Sequence, residues 1–107
     1  MKANVLGTEY EIKIANSETD PYLRDMDGYC DETTHTIVVD EMIPDERSKK
    51  NLQDYQNKVI RHELIHAFLF ESGLAVNSNW ANNEEMVDFF AIQFPKIKKV
   101  FEELKII

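Results

Sequence analysis

One cysteine, three prolines, three glycines and one tryptophan in 107 residues exclude several kinds of protein at the outset. Cys30 has no second cysteine to pair with, so no disulfide staples the chain to itself, and a cytoplasmic address is the simplest expectation. No apolar run approaches the roughly 20 residues of a membrane-spanning helix. The opening MKANVLGTEYEIKI lacks the apolar stretch of a signal peptide, so no membrane partner is expected. Positive charge is scarce too. Twelve Lys and Arg stand against twenty Asp and Glu, a net charge of −8. A surface of that sign does not neutralise phosphates, which argues against nucleic acid as a direct partner. What is present, 43% hydrophobic and 30% charged residues, suits one globular domain over residues 1–107 with a modest core.

Strand patterns come first and helical patterns after, which makes the class α+β, with an antiparallel or mixed sheet of three to four strands. Residues 2–6 and 9–15 flank Gly7-Thr8, and EYEIKIA alternates polar with apolar residues, as an arm of a hairpin does. Asn16 to Asp27 is a polar connection punctuated by Asp20-Pro21, beneath which Tyr22, Leu23 and Met26 can pack. A second hairpin pairs GYCD, Gly28 to Asp31, with the β-branched run Thr36 to Val39. The latter suits a central strand and the former an edge. Pro44-Asp45-Glu46 reads as a helix start, and Arg47 to Asn57 as the exposed beginning of the next helix or a separate turn. No Pro or Gly interrupts Asn51 to Ser72, and Gly73 suits a helix stop. Leu74 to Asn82 connects onward. Trp80 within it is expected to anchor against the core or to line a cleft. The following helix is expected to run to about Phe94, where Pro95 interrupts it. Ile97, Val100, Phe101 and Leu104 then form a last amphipathic helix.

The chemistry is concentrated in RHELIHAFLFESG, Arg61 to Gly73. His62, Glu63 and His66 spell His-Glu-x-x-His. On a helix, positions i and i+4 lie one turn apart on one face. Two imidazoles there can put nitrogens on one metal ion, at about 2.0 Å for zinc. Glu63 then points to the edge of that face, within reach of a water on the metal, where a general base belongs. Val59, Ile60, Leu64, Ile65, Ala67, Phe68, Leu69 and Phe70 surround the motif on nearly every side of the wheel, the pattern of a buried helix. Buried histidines and a buried glutamate need partners, and a metal supplies them.

Two histidines need a third protein ligand, and NEEMVD, Asn83 to Asp88, offers acids. HELIH followed by Asn-Glu-x-x-x-Asp resembles the gluzincin zinc peptidases, the thermolysin-like clan. That resemblance implies Glu84 as third ligand of a single zinc ion and Asp88 as the acceptor that orients the far nitrogen of His62. The wheel agrees independently. Glu84 and Asp88 fall beside Val87 and Ala91 on the mainly apolar side, whereas Glu85 falls near Gln93 on the polar flank. Capping of the helix start is the other role open to acids in a first turn.

The same resemblance implies that Gly28, Tyr29 and Cys30 lie along the cleft and pair with an extended substrate; an ordinary hairpin arm fits these residues equally. His35 suits a hairpin surface better than a role in stabilising an oxyanion. Tyr29 and Tyr55 have similar standing as hydroxyl donors, and nothing in the spacing recommends Cys30 as a further zinc ligand. The function implied is zinc-dependent hydrolysis of a peptide bond in a protein substrate, with Glu63 as base to a water whose pKa zinc lowers to about 7. The chain is too short for the second domain that walls the cleft in larger gluzincins. It is similar to the small phage- or mobile-element-encoded members, some of which cut a repressor. Half a cleft implies a partner chain or a second copy to complete it, or a narrow set of substrates. The alternative is a zinc-binding regulatory or interaction module with little turnover.

Overall fold

In the computed structural model of this chain, which describes residues 1–44 and 50–107, the alternating segments form the sheet. Strands β1 (Lys2–Val5) and β2 (Thr8–Ala15) make an antiparallel hairpin with Val5 opposite Thr8. Leu6 and Gly7 are its two-residue turn, both at positive φ, as the twist of a tight hairpin requires. Strands β3 (Gly28–Asp31) and β4 (Thr36–Asp40) pair antiparallel, and β4 runs parallel to β2. The sheet is therefore mixed, in the order β1-β2-β4-β3. The β-branched run is central and GYCD is an edge; each residue of GYCD is half-buried. Ile37, Val38 and Val39 are all buried. In the connection before β3, a 3-10 turn over Pro21–Arg24 buries Leu23 but leaves Tyr22 and Met26 exposed.

Helix α1 (Leu52–Glu71) crosses one face of this sheet. The Asn51 side chain accepts from the Asp54 amide at 3.1 Å and caps its start. Gly73, at φ 84°, ends it in the left-handed conformation that a side chain would resist. The expected start at Pro44-Asp45-Glu46 lies, past Pro44, outside the described residues, as does the beginning of the Arg47 to Asn57 segment. Val59 and Ala67 of α1 join Val5, Tyr10, Ile12, Ile37 and Val39 in the core. Glu63 sits midway between Val59 and Ala67, one turn from each, so it belongs to the stripe that faces the sheet. The all-round burial expected of this helix is not found. Only Val59, Glu63 and Ala67 are fully buried, and Phe68 is exposed, because the sheet covers one side of α1 and leaves others open.

A short helix α2 (Leu74–Asn77) and a 3-10 turn (Asn79–Asn82) lead to helix α3 (Glu84–Glu103), capped by the Asn83 side chain on the Met86 amide at 2.8 Å. Lys58 meets Asp88 and His62 meets Glu84, so α3 runs antiparallel to α1. Trp80 is neither buried nor at the cleft: Ala81 takes the buried place beside it and Trp80 lies largely in solvent. Pro95 does not interrupt the second helix; α3 is one piece to Glu103. Proline leaves the carbonyl four residues back without its helical N–H. That carbonyl belongs to Ala91, and the Arg61 Nε donates to it at 2.7 Å. A side chain from α1 thus replaces the lost backbone donor. Among the described residues no helix is long and apolar enough to cross a membrane.

Candidate metal centre

Lys58, His62 and His66 follow at one-turn intervals on the stripe of α1 next to Glu63, and this stripe faces α3 and the edge strand β3. The first turn of α3 brings Glu84 over both rings. One carboxylate oxygen of Glu84 lies 2.9 Å from His62 Nε2 and the other 2.9 Å from His66 Nε2. On its other side His62 Nδ1 is 3.1 Å from Asp88 Oδ1. One nitrogen from each histidine and one Glu63 oxygen also fall within 4.8 Å of one another. Glu85, also exposed, has no part in this cluster. Glu84 itself is 69% exposed, so its expected burial is wrong even though it reaches both rings. The reason is position: at the first residue of α3 its stem projects past the end of the helix packing, and only the carboxylate bends back.

The donor set has a proton deficit. Both ring nitrogens of His62 face carboxylate oxygens, yet a neutral imidazole carries one N–H. With that proton on the Asp88 side, the Nε2 lone pair points at a Glu84 lone pair. A second ring proton, giving an imidazolium, or a metal cation at Nε2 removes the conflict, and His66 offers Nε2 to the same carboxylate. Glu63 adds to the case. It is 7% exposed, and its Oε2 is buried with no hydrogen-bond partner among the described residues. An orphaned buried carboxylate oxygen is costly unless a water or an ion meets it. Burial pushes the Glu63 carboxyl above the usual carboxylate range, the neighbouring His62 and His66 pull it down, and Glu84 adds to the rise. Burial also works against ionisation of Asp88, but hydrogen bonds from Lys58 and His62 outweigh it and hold this carboxyl below its ordinary value. Two nitrogens, a bridging carboxylate and an unpartnered acid beside them fit a zinc ion.

The cluster opens into a cleft of about 590 Å³, with β3 as one bank and the start of α3 as the other. Gly28, Tyr29 and Cys30 are among the residues that line it. Gly28 has a packing reason to be glycine: a Cβ there would stand 2.9 Å from Val59 Cγ1 and 3.0 Å from the Val38 carbonyl. Its absence lets the edge strand lie close against α1. The Tyr29 hydroxyl donates to Asp20 and the Tyr55 hydroxyl to Asp27. Burial and the bond to Asp20 push Tyr29 up to about 12; the bond to Asp27 and burial do the same for Tyr55. Cys30 is pushed up to about 12 by burial and then by the Glu63 charge, surroundings that oppose a thiolate ligand. His35 is outside the cleft. It sits at φ 53° in the β3–β4 turn, its ring against Tyr10 and its Nε2 3.8 Å from Glu71.

Sequence reasoning passed over Lys58, which lies 3.1 Å from Asp88. Its signal was available, since Lys58, His62 and His66 share one helical stripe. Asp27, Asp20 and Glu32 were passed over as well, and only the fold brings them to the tyrosines and the cleft. No protein-family model, no curated protein and no solved structure matches the chain. The chemistry of the cleft is therefore the ground for a functional reading.

Proposed function

We propose that this chain is a zinc-dependent peptidase of the gluzincin type, in which His62, His66 and Glu84 hold one zinc ion. The observation that carries the reading is the Glu84 carboxylate set across the two Nε2 atoms while Asp88 takes the opposite nitrogen of His62. Zinc, when bound, supplies the Lewis acidity that makes water a nucleophile near neutral pH. Glu63, buried beside it with an oxygen that has no partner among the described residues, would take the proton of that water and hand it to the leaving amine. Asp88 fixes the ring of His62 and its proton, so that the other nitrogen is free to ligate. The edge strand Gly28–Asp31 offers unpaired backbone groups to an extended segment of a protein substrate, such as a repressor-like regulator.

A second reading, a zinc-binding regulatory module with little turnover, is favoured by one observation. The two hydroxyls at the cleft, Tyr29 and Tyr55, are each committed to an aspartate and pushed up to about 12. Neither is a ready donor to an oxyanion. A partner chain could supply the missing donor. Metal analysis of the purified chain beside Glu84→Ala and Glu85→Ala tests the site: stoichiometric zinc lost only in Glu84→Ala is the expected result, and equal zinc in both would sink it. Chelator-sensitive cleavage of a candidate protein, absent in Glu63→Gln, separates enzyme from module.

A further inference from the structure

All six phenylalanines of this chain lie on α1 and α3, and none joins the core cluster of sheet and α1. Four of them, Phe68, Phe90, Phe94 and Phe101, are 40–52% exposed. Along α3 the apolar residues Phe90, Phe94, Ile97, Phe101 and Leu104 follow at alternating intervals of four and three. That 3.5-residue period is the seam of a coiled coil, which needs a second helix to cover it. Where α3 packs beside α1, the seam forms one wall of an apolar groove of about 300 Å³, whose other wall is Leu64, Ile65 and Phe68 of α1. Past Pro95 the same seam stands out as a ridge, with Leu104 65% exposed.

We propose that the occupant is a second copy of this chain, its α3 antiparallel to the first and crossing it near Ile97. A helix with its groove at one end and its ridge at the other closes on a second copy as a dimer by a two-fold axis between them, which lays each Phe101–Leu104 ridge over the other's Phe90–Phe94 groove. The area is sufficient. If wholly covered, the exposed fractions of the seam, with Val100, Ile106 and Ile107 beside it, come to at most on the order of 800 Å² per chain, what one side of a standard interface contributes. An anionic bilayer is the poorer match in shape, since it presents a flat surface to a groove; Lys96, Lys98 and Lys99 beside the seam do not repel it, so vesicle binding is a separate arm of the test. With about 100° per residue, the seam lies roughly 140° around α3 from Glu84 and Asp88. Pairing of this kind leaves the cleft open, and it is independent of the zinc reading.

Analytical ultracentrifugation decides the matter. Wild type is expected to sediment at twice 12.5 kDa. Leu104→Glu and Phe101→Glu weaken association by about tenfold or more, while Phe89→Glu, exposed but off the seam, leaves the dimer intact. In a Cys30→Ser background, Ile97→Cys oxidises to a covalent dimer and Phe89→Cys does not, which fixes the crossing point without relying on a destabilising charge. Wild type that stays monomeric at all concentrations overturns the proposal. If that monomer co-sediments with phosphatidylserine vesicles, the occupant is a bilayer instead. A trimer or tetramer, or a dimer indifferent to Leu104→Glu and uncrosslinked by Ile97→Cys, overturns it as well.

Discussion

Along one flank of the α1–α3 pair, His62, His66, Glu84 and Asp88 meet through contacts of 2.9–3.1 Å; along another, Phe68, Phe90 and Phe94 line a groove without a hydrogen bond between them. The first flank is directional. Each contact has a donor, an acceptor or a lone pair at a set angle, and removing one group leaves its neighbour with an uncompensated charge. The second is apolar and tolerant, since burial of hydrocarbon depends on area more than on angle. Both are written on the same two helices, so substitutions on one flank should leave the other's behaviour intact.

The largest effect belongs to the polar flank. Glu63→Gln is expected to cost at least 10²–10⁴-fold in turnover, by analogy with other general bases, with zinc content unchanged in metal analysis. Loss of zinc together with activity would mean that Glu63 is a ligand and not a base. His62→Ala is expected to abolish stoichiometric zinc. If zinc is held by the folded site, a chelator should lower the melting temperature of wild type and leave that of His62→Ala unmoved. Next comes Gly28→Ala, where the new Cβ meets Val59 and the Val38 carbonyl. Overpacking of this kind costs about 1–3 kcal/mol, readable as a lower urea midpoint. An unchanged midpoint would show that β3 can slide away from α1.

Asp88→Asn sharpens the comparison further. Loss of the carboxylate behind His62 should weaken zinc affinity by about 10–100-fold in a competition titration, with stoichiometry kept at saturation. The same carboxyl sets an acid-side dependence without zinc. Its folded pKa is held down, so its contribution to stability is present above the ordinary aspartate value near ~3.9 and is lost as the pH falls through the lower folded value. Denaturation of the zinc-free chain between about pH 5 and pH 2 should therefore show a shallower slope in Asp88→Asn. The smallest effect is on the apolar flank: Phe94→Glu should change zinc affinity by less than about twofold. A large change there would mean that the two flanks are coupled through α3.

The hairpins, the helix through His62 and His66, and the edge position of GYCD were all legible, because each follows from periodicity or β-branching over a few neighbouring residues. Pro95 was misread as a break. The local rule is sound, but Arg61, thirty-four positions away, supplies the donor that the ring removes. Burial around α1 was misread for a related reason. The wheel reports which residues are apolar, not whether anything covers them, and Phe68 and its neighbours on α3 stay exposed. Trp80 and Glu84 were each expected nearer the interior than they lie. A large side chain in a connection, or an acid at the first residue of a helix, can be placed on either side of the surface by small changes in how the helix enters.

Residue type and spacing alone put His62, Glu63 and His66 together, since two imidazoles one turn apart on one face are fixed by covalent order and helical pitch; Glu84 was singled out through the resemblance to the gluzincins. Its meeting with the two rings was decided by tertiary structure. Only the antiparallel packing of α3 on α1 turns the Glu84 carboxylate back onto both rings, sets Lys58 and Asp88 behind His62, and buries Glu63 against the sheet with an oxygen left unpartnered. Helical pitch acts over a turn, whereas the charge balance of a cleft depends on elements far apart in the chain.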